Sequence, residues 1–295
     1  MYKSERITQC VSHIFLIVLS AGSIIPFIIL VASSFSSEAN ILKEGYSFFP
    51  NKINFDAYKY LFANSASLLR AYGNTIFVTV FGTFVSLVMT SFLAYGLSRR
   101  DLPFRNLFTF LVFFTLLFNG GLVPTYLVYT QVFDIKNTIW ALIVPGLLMN
   151  GFNVLLMRTF FMTSIPEPVI ESARMDGAGE IRTFFSIILP LSLPILATIG
   201  LLQTILYWND WFNGLVYITD PSLYSIQNIL NRMLSDIQFL ASSNLGSNAS
   251  KAASTIPTTG VRMAIAVIGF LPILLAYPFF QKYLVKGIAL GSVKG

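Results

Sequence analysis

The sequence predicts an all-α integral membrane protein with roughly six spans, each needing about 20 mostly apolar residues. Three observations predict it. Of the 295 residues, 55% are hydrophobic and 11% charged, and the mean hydropathy is +0.71. Soluble domains carry about 25% charged residues, so these side chains cannot coat a globular surface and lipid must do much of the solvating. Apolar runs of membrane length recur near residues 9–34, 72–97, 106–132, 138–163, 184–213 and 260–285. The basic residues, finally, fall in alternate connections between those runs.

The net charge of +6 and the pI near 9.4 would suit a nucleic-acid binder, but the placement of the charges argues against one. Lys3, Arg6, Arg99, Arg100, Arg105, Arg158, Arg174, Arg182, Lys282, Lys286 and Lys294 lie at the N-terminus, in alternate loops or at the C-terminus. This is the positive-inside bias of a membrane protein, and an even number of spans puts both termini in the cytoplasm. The opposite loops are nearly neutral, with Lys43, Lys52, Lys59, Lys136, Arg232 and Lys251 set against Glu38, Glu44, Asp56, Asp134, Asp220 and Asp236. Cys10 is the single cysteine, which excludes an internal disulfide and a thiolate metal cluster. The single histidine, His13, stands at the start of the first span, where packing or an interfacial position explains it better than metal ligation. No GxxxxGK[ST] phosphate loop occurs, so the chain does not bind a nucleotide by that motif.

Along the chain, residues 1–71 read as a first span and an external segment, 72–285 as the core membrane domain, and 286–295 as a cytoplasmic tail. The first apolar run is far longer than the 7–15-residue core of a signal peptide, which predicts a retained span. In the external segment Asn54 is placed to cap a short helix whose Phe55, Tyr58, Leu61 and Phe62 share one face. The second span is rich in Val, Phe, Gly, Ser and Thr, and small residues permit close approach of helices in lipid. In the third, Asn119-Gly120-Gly121 and Pro124 predict a kink, either for packing or to shape a route through the membrane. Asn150 and Asn153 in the fourth need partners or water, either on other helices or in a pore.

The stretch from Ser164 to Pro190, SIPEPVIESARMDGAGEIRTFFSIILP, is a polar insert between two apolar runs. Ser164 and Glu167 match a capping box, with Pro166 near the helix start. A helix over 168–175 would be about 12 Å long, Asp176-Gly177 turns the chain, and a second helix from Glu180 enters the fifth span. That span contains Pro190 and Pro194 and ends at Gln203, Tyr207, Trp208, Asn209, Asp210, Trp211 and Asn213. Rings and amides on adjacent turns suit a sugar site, although Trp208 and Trp211 also fit an interfacial aromatic belt. Asp210 and Gln203 are candidates for lining a route, because polar groups inside spans tend to face cavities. Beyond it, Ile226, Ile229, Leu230, Met233, Leu234, Ile237 and Leu240 recur at helical spacing, and SSNLGSNASKAAST follows with linker composition. The last span carries Pro272 and Pro278.

These residues resemble the permease subunits of ATP-binding-cassette importers, in the sugar-importer branch that includes the maltose permeases. The family signature is Glu-Ala-Ala, three residues, Gly, nine residues, Ile-x-Leu-Pro. Here it stands as Glu171-Ser172-Ala173, Gly177 and Ile187-Ile188-Leu189-Pro190 with every spacing kept, the one departure being Ser172. The resemblance extends to the aromatic end of the fifth span and the VKG tail, and FNGGLVPTY and YWNDWFN look most like permeases for complex, often uronic-acid-containing, oligosaccharides.

The resemblance implies a six-span type I ABC importer permease with a core bundle like that of methionine-importer permeases, in a bacterial plasma membrane. It implies a second homologous permease, two copies of an ATPase subunit that use ATP and Mg, an extracellular or periplasmic solute-binding protein and an oligosaccharide cargo. No cofactor is bound by this chain and no nucleic acid is implied. The loop 164–183 would dock on the ATPase, with Glu171 pairing with a basic residue, Ala173 packing in the groove and Gly177 permitting the turn. Ser172, Arg174 and Asp176 complete that element, and the tail near Lys294 reaches the ATPase dimer. Asn119, Asn150, Asn153, Gln203, Tyr207, Asn209 and Asp210 are the candidate pathway residues. A secondary carrier would require inverted repeats and paired intramembrane charges, and an intramembrane enzyme a catalytic pair near Asp210; the sequence shows neither.

Overall fold

The computed structural model describes residues 2–50, 53–63, 65–242 and 258–291, and no strand occurs among them. In chain order the α-helices are α1 (Tyr2–Ser34), α2 (Glu38–Glu44), α3 (Asp56–Phe62), α4 (Ser65–Ser98), α5 (Arg105–Leu117), α6 (Leu122–Leu127), α7 (Trp140–Ile143) and α8 (Gly151–Ser164). They continue with α9 (Glu167–Met175), α10 (Glu180–Thr183), α11 (Leu189–Leu191), α12 (Leu193–Trp208), α13 (Phe212–Tyr217), α14 (Ile226–Ser242) and α15 (Thr258–Gly291). Wider π-type turns extend α6 over Val128–Val132 and join α10 to α11 over Phe184–Ile188. The chain divides into two compact units: residues 1–68 with 230–272, and residues 69–229 with 273–295.

In the first unit, Gln9–Ser34 of α1 is apolar enough to cross a membrane; residues 9–28 stand exposed along it, and only Ser33 and Ser34 at its end are buried. Ile14, Phe15, Ile17 and Val18 all stand exposed, a surface that only lipid or a partner can cover. Ser37 caps α2, accepting the Asn40 N–H at 3.4 Å. The capping position of α3 is Phe55, which has no side-chain cap, and Asn54, expected there, stands one residue earlier with its Oδ1 accepting the Asp56 N–H at 2.6 Å. The expected face of α3 is buried in part, at Leu61 and, half-buried, at Tyr58. Ala57 and Leu61 are buried, whereas Phe55 and Phe62 are exposed, because a helix starting at Asp56 turns its i, i+4 pair inward. Glu38 accepts the Thr259 and Gly260 N–H groups at 3.0 and 3.1 Å, placing a carboxylate on the electropositive start of α15.

In the second unit, α4 buries Thr75, Thr79, Thr83, Ser86, Thr90 and Ser91, the small residues expected to let helices approach closely. A Cβ added at Gly82 would lie 2.6 Å from the Tyr207 ring, so α12 passes too near α4 for any side chain there. Ile226 and Asn228 at the start of α14 are buried in this unit; Leu230 and Ile237 of the same helix, which belong to the first unit, are buried as well, as the apolar stripe required. Ser225 caps that helix by accepting the Asn228 N–H at 3.2 Å.

Three of the expected spans are broken. The third does not merely kink: α5 and the segment Leu122–Val132 meet at 115°, with Gly121 at φ +84° and Asn119 Oδ1 accepting the Gly121 N–H at 2.9 Å. The fourth, expected as one helix over 138–163, is divided into the four residues of α7, an irregular stretch, and α8. Pro145 has no N–H to donate and Gly146 sits at φ +70°, so no helix passes through them. Asn150 restarts the chain by accepting the Phe152 N–H at 2.8 Å. The fifth bends by 79° between Glu180–Leu191 and Leu193–Trp208, where Pro194 cannot donate to the carbonyl four residues back. By length and composition three helices of the described residues can cross a membrane singly, and five if each bent pair is one span.

Candidate functional site

Two places gather the singled-out residues, and both lie within the second unit. The first is the polar insert. Helix α9 starts at Glu167 with Pro166 in the capping position and no side-chain cap. The capping box expected from Ser164 does not form, because Ser164 is still the last residue of α8. At the other end the Ala178 N–H donates to the Ala173 carbonyl and the Gly177 N–H to that of Arg174, both at 2.9 Å. With Gly177 at φ +80° this is a Schellman stop, which needs glycine in the left-handed position.

Glu171, Ser172, Asp176 and Gly177 are exposed, Ser172 donating to the Pro168 carbonyl of its own helix at 2.8 Å. Ala173, by contrast, is buried within the chain at 7% exposure. The apolar side chains offered outward beside the polar loop are Met175 at 88% and Ile181 at 74%.

Arg174 is held from within. Its Nη2 lies 2.7 Å from Asp101 Oδ2 and 2.8 Å from Glu180 Oε1. Tyr95 donates its hydroxyl to Glu180 Oε2, Arg99 Nε lies 3.5 Å from Asp101 Oδ1, and Arg100 Nη2 lies 3.4 Å from Glu167 Oε2. The hydrogen bond from Arg174, above all, holds the Asp101 carboxyl below its ordinary range. Beneath this layer Tyr95 and Leu97 pack with Met157, Phe161, Ile165, Phe184 and Ile188 in an apolar core that also receives Ile170 of α9. Sequence reading missed Tyr95, Arg99, Asp101 and Glu180, whose partners are up to 85 residues away.

The second place is a cavity of about 370 Å³ where the breaks after α5, before α8 and after α12 converge. Asn119, Gly121 and Thr125 line it from the first break, Pro145, Gly146 and Leu147 from the second, and Asp210, Phe212, Asn213 and Tyr217 from the third. Asp210 accepts the Asn213 N–H at 3.2 Å.

Around this cavity the remaining amides act on the backbone. Gln203 is fully buried, donates to the Leu147 carbonyl and accepts from Asn153 Nδ2 at 3.3 Å. Tyr207 donates to the Ile143 carbonyl and Asn213 to that of Pro145, both at 2.9 Å. These groups satisfy carbonyls that the break between α7 and α8 leaves without helical donors. Asn209 turns back to the Ile205 carbonyl of α12 at 2.9 Å. Trp208 is buried beside Tyr72, 6.3 Å between centroids, so it is neither part of an interfacial belt nor open to a sugar. Trp211 is partly exposed at 43%. Lys294 lies outside the described residues.

Residues 67–290 match the family described as the binding-protein-dependent transport system inner membrane component. The chain belongs to this family. It is a permease subunit of an ABC importer, an integral inner-membrane protein and not an enzyme. The permease is 40% identical over 293 residues to the protein LplC of Bacillus subtilis (strain 168), covering 99% of this chain and 97% of LplC. It is 37% identical to the polygalacturonan/rhamnogalacturonan transport system permease protein YtcP of the same organism, covering 99% of each chain. Its fold matches a bacterial ABC transporter involved in the import of the acidic polysaccharide alginate, with a TM-score of 0.77, 31% identity and coverage of 95% of this chain and 97% of that one.

Proposed function

We propose that this permease forms half of the import route for an oligosaccharide, with the cavity of about 370 Å³ as its part of the route wall. The carrying observation is the convergence of three helix breaks on that one cavity. Irregular backbone survives at membrane depth only where protein or a water-filled cavity shelters it, and broken spans mark polar cargo sites in transporters. Asn119, Thr125, Asp210 and Asn213 offer the mixed donors and acceptors that sugar hydroxyls need, and Tyr217 and Phe212 offer ring faces. Asn150, Asn153, Gln203 and Tyr207 serve this route by holding its wall, and Asn209 by closing α12. The names of YtcP and of the alginate importer support a saccharide cargo.

The route works with a second homologous permease, a solute-binding protein outside and two ATPase subunits inside, the latter using ATP and Mg while this chain binds no cofactor. Both termini face the cytoplasm. Helix α9 meets the ATPase through Glu171, Asp176 and the turn at Gly177, with Met175 supplying exposed apolar surface, and Lys294 of the tail approaches the same subunit. The test is Asp210→Ala in the assembled importer. Uptake of labelled oligosaccharide should fall about 10- to 150-fold, the effect of losing a hydrogen bond to a charged group worth about 1.5–3 kcal/mol, while the complex still assembles. Unchanged uptake removes the cavity from the route.

A further inference from the structure

Taking the docking of α9 on the ATPase as read above, we infer that Asp101 and Arg174 are positioning residues that make α9 and the end of α4 one moving part. Helix α9 is joined covalently to α8 on one side and to α10 on the other. Its strongest side-chain ties run elsewhere, to residues 95–101. Arg100 holds Glu167 at the first turn of α9, and Asp101 holds Arg174 in its last turn. Seven residues of helix separate those two points, about 10 Å at 1.5 Å per residue, so the helix is held at both ends and cannot swing about either. Glu180 extends the tie, taking Arg174 on one oxygen and Tyr95 of α4 on the other. Arg158 of α8 adds a further hold, its Nε donating to the Leu97 carbonyl at 3.0 Å.

The consequence concerns where force goes. A pull on α9 reaches α4 through ionic contacts spanning 73 residues of sequence, as well as α12 through the covalent path. Helix α4 then carries the motion along its length to Gly82, where it lies against Tyr207 of α12. Tyr207 in turn holds the Ile143 carbonyl beside the cavity. The charges are exposed on one side, with 59% and 40% of the Asp101 and Arg174 side chains open to solvent, and exposed pairs contribute little to stability. Their use is therefore positional.

The test is a double-mutant cycle in the complete importer reconstituted in vesicles, reading sugar transported per ATP hydrolysed. Asp101→Asn and Arg174→Gln should each lower that ratio by about 2- to 30-fold, the span seen for residues that carry coupling, and the double variant should be no worse than Arg174→Gln alone. Thermal midpoints should move little. A ratio unchanged in Asp101→Asn overturns the inference, as does a double variant whose losses multiply. So does a loss of uptake matched by an equal loss of folded complex, which marks a merely structural contact. Glu171→Lys separates the two readings: it should abolish uptake and ATPase recovery while membrane insertion persists. Normal uptake by that variant removes the docking reading itself, whatever the cycle shows.

Discussion

Replacing Gln203 by leucine tests whether the break in the fourth membrane segment is held open by side chains of the fifth. The amide occupies a fully buried position, donates to the Leu147 carbonyl and accepts from Asn153 Nδ2. Leucine fills nearly the same space but leaves that carbonyl and that amide without their partner. A buried polar group left unsatisfied costs about 1–3 kcal/mol, so two give about 2–6 kcal/mol. Interhelical hydrogen bonds in membrane proteins average only about 0.6 kcal/mol because the unfolded chain finds other partners. At Leu147 the larger cost applies because the folded chain offers no replacement donor, the carbonyl lying in an irregular stretch between Gly146 and the start of α8. The control is Thr204→Val on the same helix, whose hydroxyl donates to the Gly200 carbonyl of its own turn at 2.7 Å. Unfolding of the purified permease in mixed micelles by titrated denaturing detergent gives both values on one scale. Gln203→Leu should lose at least about 2 kcal/mol more than the control; two variants within about 0.5 kcal/mol of each other would refute the reasoning.

Gly82→Ala places a methyl 2.6 Å from the Tyr207 ring; overpacking of this kind costs about 1–3 kcal/mol, and the same denaturation assay should show it, with Tyr207→Ala in the same chain relieving the clash. The acid response of the insert follows from Asp101, whose carboxyl is held below its ordinary range chiefly by Arg174. A depressed folded value means that its contribution is complete above the unfolded value of ~3.9 and disappears as pH falls through the lower folded one. Protease nicking within 164–183 should therefore stay flat from neutral pH down to about 5 and rise only below ~3.9, where wild type and Asp101→Asn converge. A rise centred near neutral pH would contradict it.

Much of the frame is legible in the order of residues. Apolar runs longer than a soluble core needs locate α1, α4 and α15, and the Asp176-Gly177 pair locates the Schellman stop of α9. The period of Ile226, Leu230 and Ile237 shows which face of α14 is buried. The divided fourth segment is not legible, because its apolar residues continue through Pro145-Gly146 without a change of composition. What ends the helix there is local backbone chemistry, and what makes the ending tolerable is Gln203, Tyr207 and Asn213, between 56 and 68 residues away. The burial of Ala173 is not legible either, since a small residue in a polar insert carries no mark of which way it faces. Arg174 looked outward by sequence and is tied inward, since nothing near it in the chain announces Asp101.

The carboxylate of Glu38 on the first N–H groups of α15 bears on what a minimal permease would be. The family match begins at residue 67, so the helix that closes the matched region takes its cap from a residue outside it. Trimming the chain to the shared region would therefore strip a terminus from the last helix as well as removing the first. Glu38 thus serves the start of α15 from outside the matched region.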